Sequence, residues 1–492
     1  MQAIVSPQHA ESPLILALDI GSSSVRAALY DRLGRAVSGM EARRGHQLQT
    51  DSSGAAVADA DVLVRLTCQC IDETLEHAGS LAGDIAAVVG CSFVGNLLGV
   101  DGDGQPVTPL LTYADTRAAA DAEMLKQELD EATFHQRTGV RFHPSYGSAQ
   151  LHWLRRARSQ EFRRVARWLS LGEYLERQLF GAGGTSHSVA SWSGLLNRQR
   201  LDWDAQLLEG LTLQPETLPC LTSSAAPRRG LLAAFAGRWP ALADVPWFPL
   251  IGDGAAANLG SGCVSPGRIA LTMGTSTALR AVTGDGVDRL PAGLWCYRVD
   301  ERRSLPGGAL TEGGSVYAWL RQELQLPGPD VLETVLAQGE PDGHRLTVLP
   351  FLSGERAPGW AGHARATIHG LTLSTRPEDI VRASLEAVAY RVALVYDDLH
   401  SLLPGEPEIV VSGGALAGSP AWLQIVADAL GRPLTLSSAP EASARGAALL
   451  ALEAIGVGQH RSGARLRWCH GRTGHAASRS LPGRHCPPTG VV

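Results

Sequence analysis

Asp253 stands in IGDGAAANLGSG, between a glycine that ends an apolar run and a string of small residues that reads as a helix start. A carboxylate there either caps that helix or faces a cleft as a general base. Two other stretches are suited to approach anions. In ALDIGSSSVRAALYD an apolar run delivers Asp19, Gly21 and the hydroxyls of Ser22, Ser23 and Ser24 into one turn. Glycine lets the backbone come close to an anion, and successive N–H groups with hydroxyls cradle phosphate oxygens. Asp19, at the strand end, is placed to hold a hydrated Mg2+ facing such phosphates. Taken alone, the same turn is an ordinary hairpin. LTMGTSTALRA repeats the device with Gly274, Thr275 and Ser276. In SGGALAGSPAWLQIVADALG, Gly413 and Gly414 form a turn ahead of an amphipathic helix from about Pro420, where small residues let a flat base lie against backbone. Phosphoryl transfer to a hydroxyl uses these parts: phosphate cradles, a cation and a carboxylate that takes the hydroxyl proton.

The elements that must hold these residues alternate. LILALDIG, VRAALYD and IAAVVGCSF are apolar runs bounded by Gly and Asp, with helix-like DVLVRLTCQCIDETLEHA among them, so the class is α/β. From Thr116 to Phe180 the spacing turns helical, with RAAADAEMLKQELDEATFHQR and SLGEYLERQLF. A second strand and glycine series begins near Pro249 and ends in EIVVSGGALAGSPAWLQIVADALGRPL. Each half opens with an acid and glycine turn beside a strand, which predicts two related lobes with a cleft between them. The expected division is 12–248, 249–456 and a tail, 457–492, with the Pro- and Arg-containing stretch 221–246 as connector. The tail holds six Arg and four His but no Asp, Glu or Lys, and reads as a disordered extension or an out-of-frame product. Spacings among its Cys469, His470, His475, His485 and Cys486 match no ligand pattern.

Composition excludes several mechanisms. The chain has 492 residues, 43 of them basic, yet Lys126 is its only lysine, and it lies in a helix-like surface stretch. A P-loop and a protein-kinase fold both need a lysine on the phosphates, so neither applies. A net charge of -6 argues against nucleic acid as partner. No apolar run approaches the roughly 18–20 residues that span a bilayer, and the opening lacks the features of a signal peptide, so a cytoplasmic protein is expected. The eight cysteines show no CxxC pair and read as buried, inert thiols. Oligomeric state is left open, a homodimer among the options.

These four glycine and acid elements, in this order, resemble the FGGY sugar kinases of the actin-like and hexokinase-like ATPase superfamily. ATIHGLTLSTRPEDIVRASLEA, Ala366 to Ala387, fits that family's C-terminal signature. The resemblance covers about residues 13 to 456. It implies a two-lobed fold of duplicated ribonuclease H-like domains with a central cleft, and it implies ATP and Mg2+. By the same resemblance Asp253 is the catalytic base, and Asp19 with Asp253 serves the metal. Gly21, Ser22, Ser23, Ser24 and Arg26 line the first phosphate loop, Gly274, Thr275 and Ser276 the second. Gly314, Gly413, Gly414, Ala415 and Gly418 surround the nucleotide.

Within the family TYADTRA, QRTGVRFHP, LDWD, TEGGSVYAWLRQE and PFLSGERAPGW look most like bacterial gluconokinases, so D-gluconate is the expected acceptor. Gly95, Asn96, Arg117, Arg141, His143 and Ser145 are the implied substrate side, with Asp253. A gluconate carboxylate needs a cation or a cluster of donors, for which Arg117, Arg141 and His143 are candidates. Three departures bear on the substrate. Where the family carries a Met-His or Arg-Glu pair, this chain has Val94 and Gly95; Gln150 and Gly147 depart from the N-terminal signature; and Ser186 replaces a common acid. A xylulokinase-like or other polyol kinase, or a catalytically weak ATP-binding regulator, are the alternatives. In GERAPGW, Glu355 and Arg356 are expected to pair with each other, and Asp115 with Arg117 to fix a loop beside the sugar.

Overall fold

A computed structural model describes residues 3–285, 287–437, 441–457 and the backbone of 475–476. The tail expected to be disordered lies almost wholly outside the described residues, as do Cys469 and Cys486. The chain forms two compact units, the first comprising Met1–Val264, Val282–Pro306 and Ser438–Gly471, the second Ser265–Ala281, Gly307–Ser437 and Arg472–Val492.

In the first unit β1 (Leu14–Ile20), β2 (Ser24–Tyr30) and β3 (Ala36–Gly45) form an antiparallel meander. Helix α1 (Ala60–Ala78), capped by the Asp59 carboxylate on the Val62 N–H, then leads to β4 (Ile85–Ser92). β4 joins β1 in parallel, and β5 (Ile251–Gly252) joins β4, giving the order β3-β2-β1-β4-β5. Both faces of β1 are covered. Leu14, Leu16, Leu18 and Ile20 pack in one core with Leu63, Ile71 and Leu175, while Ile15 and Ala17 pack in another with Ala444, Ala447 and Leu452. That is why LILAL is continuously apolar instead of alternating. Each such buried Leu or Ile contributes about 1.5–3 kcal/mol. The residues packed on the second face belong to α7 (Ala442–Ala454), which lies beside α2 (Asp253–Gly260).

The second unit repeats the topology. β6 (Arg268–Met273), β7 (Thr277–Ala281) and β8 (Ser304–Leu310) are antiparallel neighbours, the pairing portion of β8 being Gly307–Leu310. β9 (Glu408–Ser412) lies parallel to β6, and β10 (Leu434–Leu436) parallel to β9, so the order β8-β7-β6-β9-β10 matches that of the first unit. α3 (Gly314–Glu323), α4 (Pro377–His400), α5 (Gly414–Ala417) and α6 (Pro420–Leu430) complete it. The Asp379 carboxylate accepts the Arg376 N–H at 2.9 Å and closes the start of α4. Ser419 caps α6 on the Trp422 N–H, and the single helical turn α5 intervenes before it. Among the described residues no helix is long and apolar enough to cross a membrane.

Several local expectations change. The 221–246 stretch is no connector: Trp239 and Leu242 are fully buried in the first unit's core, and the Trp239 indole donates to Asp72 at 2.8 Å. Two aromatic and aliphatic anchors outweigh the local proline and arginine content. The helical run after Thr116 breaks at Leu129, where Asp130 caps a new helix, Glu131–Thr138. Of the described cysteines, Cys220 is exposed, unlike the five others. Lys126 does lie on a helix, paired with Glu123 at 2.7 Å.

Glu173, in the helix Leu171–Phe180, is 1% exposed and neither carboxylate oxygen has a hydrogen-bond partner. Burial, reinforced by neighbouring Glu176, pushes it up to about 8, against the pull of Arg177, Arg167 and Arg228. Its proton is held more tightly in the folded than in the unfolded chain. This contribution to stability is therefore complete below the ordinary carboxylate range and is lost as pH rises through about 8. Glu173→Gln is expected to flatten the decline of melting temperature over that interval. A wild-type and variant decline of equal steepness would contradict the assignment.

Candidate active site

In the first unit the candidate residues are placed by strand register. Asp19 lies opposite Arg26 on β2 and opposite Cys91 on β4, while Cys91 and Ser92 lie opposite Ile251 and Gly252 of β5. Asp19, Cys91 and Ile251 therefore form one row across β1, β4 and β5, and Asp253 follows two residues beyond that row, just past the end of β5. Beyond Asp19 the hairpin closes through the Gly21 N–H on the Ser24 carbonyl at 2.9 Å, and a Cβ on Gly21 would lie 3.2 Å from that oxygen. Ser23 is exposed and Ser22 half-buried, its hydroxyl 3.4 Å from that of Tyr113. Ser24 is 5% exposed and belongs to β2, so the turn presents two hydroxyls where the sequence suggests three. Arg26 pairs with Glu441. Its guanidinium is thus engaged by a carboxylate that sequence reasoning missed, because 415 positions separate them.

Burial raises the Asp19 carboxyl above its ordinary range, partly offset by the Cys91 thiol, which donates to its Oδ1 at 3.4 Å, and by Arg26. Burial and the charges of Asp19 and Asp253 drive the Cys91 thiol well up, so it stays a protonated donor. One thiol feels both carboxylates, so Asp19 and Asp253 share a neighbourhood. Asp253 is the first residue of α2, and its Oδ1 accepts the Gly254 N–H at 2.7 Å. It therefore sits at the positive end of a helix. Among the described residues no three His, Cys, Asp or Glu side chains cluster as a metal site. A hard cation beside two carboxylates would keep water or phosphate oxygens for its remaining positions, the habit of Mg2+, so the residues fit it.

The sugar-side residues fall into two groups. Gly95 (φ 68°) is walled in: a Cβ would lie 2.9 Å from the Ser145 carbonyl and 3.0 Å from the Tyr113 Cβ. Ser145 donates to the Tyr113 carbonyl at 2.7 Å and its N–H reaches His143 Nδ1 at 3.2 Å. Gly95, Tyr113, His143 and Ser145 thus come together. Asn96, Arg117 and Arg141 have structural partners. Asn96 donates to the Phe93 carbonyl at 2.5 Å and accepts the Leu171 N–H at 2.8 Å, so both ends of its amide hold backbone. Arg117 grips the buried Asp115 through two nitrogens and lies 4.4 Å over the Trp153 ring. Arg141 pairs with Glu131 at 2.7 Å and donates to the Ala292 carbonyl.

The second unit carries a glycine cluster of its own. Thr275 and Ser276 are exposed in the β6–β7 turn, closed by the Gly274 N–H on the Ser276 carbonyl at 3.0 Å. The Gly314 N–H reaches the Gly274 carbonyl at 2.7 Å, and a Cβ on Gly314 would lie 3.3 Å from that of Ala415. Gly413 (φ 97°) backs onto the Met273 carbonyl so closely that no side chain fits, whereas Gly414 has open space around it. The Gly418 N–H closes α5 on Gly414. Gly274, Gly314, Gly413, Gly414, Ala415 and Gly418 are therefore drawn together by β6, α3, β9 and α5, a bare backbone surface suited to a nucleotide. Sequence reasoning missed Glu312, 2% exposed beside this cluster and pushed above the ordinary carboxylate range by burial. It also paired Glu355 wrongly: Glu355 binds Arg391 of α4, leaving Arg356 outside that ion pair.

Residues 14–260 match the N-terminal domain of the FGGY family of carbohydrate kinases, and residues 269–455 match its C-terminal domain. The chain belongs to this family. The kinase is 27% identical to a gluconokinase of Bacillus subtilis (strain 168), over 90% of this chain and 88% of that protein. It is 30% identical to a glycerol kinase of Allorhizobium ampelinum, with 90% of each chain covered. The crystal structure of a gluconate kinase from Lactobacillus acidophilus superposes with a TM-score of 0.82 at 26% identity, covering 91% of this kinase and 90% of that chain. The two-domain architecture of actin-like type implied by the family resemblance is therefore present. The enzyme is an ATP-dependent sugar kinase.

Proposed function

We propose that this kinase phosphorylates D-gluconate to 6-phosphogluconate with Asp253 as general base. The observation that carries the base assignment is the position of Asp253 at the head of α2, just beyond the strand ends that carry Asp19 and the Gly21 turn, with the Cys91 thiol feeling both carboxylates. The hydroxyl oxygen of the acceptor attacks the γ-phosphorus in line, its proton passes to an Asp253 carboxylate oxygen, and the bond to the β,γ-bridging oxygen breaks to release ADP. The Gly21–Ser23 turn and the Gly274–Ser276 turn would offer N–H and hydroxyl donors to phosphate oxygens, and Gly314, Gly413, Gly414 and Ala415 a bare surface to the nucleoside. Asp19 and Asp253 would hold Mg2+, which when bound neutralises phosphate charge. Burial raises the Asp19 carboxyl above its ordinary range, a cost to its charge that a cation opposite it would offset.

Gluconate is supported by the gluconokinase and gluconate kinase relatives and by the TYADTRA and GERAPGW segments. A second reading, a neutral polyol or ketose, is favoured by Arg117 and Arg141, whose guanidinium groups already face Asp115 and Glu131. A carboxylate acceptor would then depend on His143 and backbone donors. ADP release with Mg2+ across a panel of aldonates, polyols, aldoses and ketoses separates the readings. Highest kcat/KM for gluconate supports the first, and highest for a neutral sugar supports the second. No acceptor-dependent ADP release from any of them would leave an ATP-binding regulator.

A further inference from the structure

Gly252, the residue before the proposed base, has no room for a side chain. A Cβ there would lie 2.6 Å from Trp192 Nε1, 3.1 Å from Trp192 Cδ1 and 3.0 Å from Val94 Cγ1. Trp192 ends the helix His187–Trp192, which is fastened to the same strand: Ser186 donates to the Leu250 carbonyl at 2.7 Å, and the Gly252 N–H donates to Ser188 at 3.1 Å. The indole N–H is buried against this backbone and has no hydrogen-bond partner. The indole stacks on Tyr297, centroids 3.5 Å apart and planes 16° apart, and Tyr297 lies in turn on Trp295 at 4.3 Å. The Tyr297 hydroxyl is 2.6 Å from that of Tyr146. Immediately after Trp192, the Ser193 carbonyl accepts the Gly147 N–H at 2.9 Å, and a Cβ on Gly194 would meet Val140 at 2.8 Å and Tyr146 at 3.3 Å.

Trp192 therefore touches the backbone that carries Asp253, and it also stacks on Tyr297, whose hydroxyl meets Tyr146 in the segment that holds Arg141, His143 and Ser145. We propose that Trp192 is a positioning residue for phosphoryl transfer, which keeps Gly252 and Asp253 in register with the sugar-side segment Val140–Gly147. Val94 crowds Gly252 as well, which gives a function to the position where the family's polar pair is missing. A flat, stacked wedge suits this role because it has few rotamers to sample and resists displacement of the glycine it covers. A misplacement of the base by about 1 Å is enough to cost roughly 10²-fold in rate.

The inference rests on Asp253 being the base, and the test includes D253N for that reason. Trp192→Ala is expected to lower kcat, normalised to folded protein, by roughly 10²-fold, and to raise KM for the sugar while KM for ATP stays unchanged. Trp192→Phe keeps a ring on Tyr297 and is expected to recover most of the loss. A merely structural role would lower melting temperature and folded fraction without the split between the two KM values. Unchanged kcat in folded W192A, or equal rises in both KM values, overturns the proposal. Should W192A fail to fold, W192F decides: a small fall in kcat with ATP KM constant supports the proposal, and wild-type kinetics overturn it. If D253N turns over like the wild type, the base reading fails and the present inference with it. If D253N is inactive and W192A unimpaired, only the role of Trp192 fails.

Discussion

Asp253→Asn is expected to reduce kcat by roughly 10²- to 10⁴-fold, the range a positioned general base supplies, while nucleotide affinity stays nearly intact. Asparagine preserves the shape of the side chain, and its carbonyl oxygen can still accept the Gly254 N–H that Asp253 accepts at 2.7 Å. What it loses is the ability to take the proton of the attacking hydroxyl. The change also removes a negative charge from the neighbourhood of Cys91 and Asp19, so the Cys91 thiol titrates at lower pH in the variant. Coupled-assay turnover and titration with a non-hydrolysable ATP analogue test both halves. Turnover within tenfold of the wild type would remove Asp253 from the base role, and a large loss of nucleotide affinity would show that its main contribution is to the phosphates or the cation.

The second large effect is structural. Where α2 and α7 cross, Gly260 and Gly446 face each other's backbone. A Cβ on Gly446 would fall on the Ala256 carbonyl and lie 2.8 Å from the Gly260 N, and a Cβ on Gly260 would fall on the Ala442 carbonyl and lie 2.9 Å from the Gly446 N. The obstacle in each case is backbone and not the yielding end of a side chain, so the helices themselves would have to separate. Arg445 closes the same crossing, with its guanidinium on the Gly34 and Gly260 carbonyls. Gly446→Val is expected to cost about 3 kcal/mol or more, read as a lower urea midpoint. It should also depress turnover, because α2 begins with Asp253. A substitution of similar size at Gly456, whose Cβ would meet nothing within 4 Å although its φ is positive, is expected to cost less. Equal midpoints for the two variants would mean that the crossing is looser than its geometry implies.

The repeated pairing of an acid or small residue with a glycine turn was readable because it is a local requirement. A strand buried on both faces must be apolar throughout, and a backbone that turns sharply or approaches an anion must be glycine. LILALDIG and LTMGTS therefore announced β1 and β6 and the turns that follow, and the repeat of that pattern announced two related halves. Asp253 at a helix start was equally legible, although cap and base could not be told apart from the residues alone. The exclusion of lysine-dependent nucleotide folds needed only a count.

What the residue types could not disclose is which polar groups are already engaged. Arg117, Arg141 and Asn96 have the chemistry of substrate ligands, yet Asp115, Glu131 and two backbone segments hold them. Glu355 meets Arg391 from 36 positions away instead of its neighbour Arg356, because an ion pair needs facing side chains and adjacent residues on a loop point apart. The same limit hid Glu441 against Arg26, the burial of Trp239, and the contact of Trp192 with Gly252. The sequence alone determined the α/β class, the glycine turns, the candidate base and the family, since these follow from local backbone demands and motif order. Only the tertiary structure decided which of these charges are paired within the protein, as Arg117 and Arg141 are, and that the helix Ala442–Ala454 buttresses the helix that starts at Asp253. Those facts depend on contacts between residues far apart in the chain, where composition and spacing carry no information.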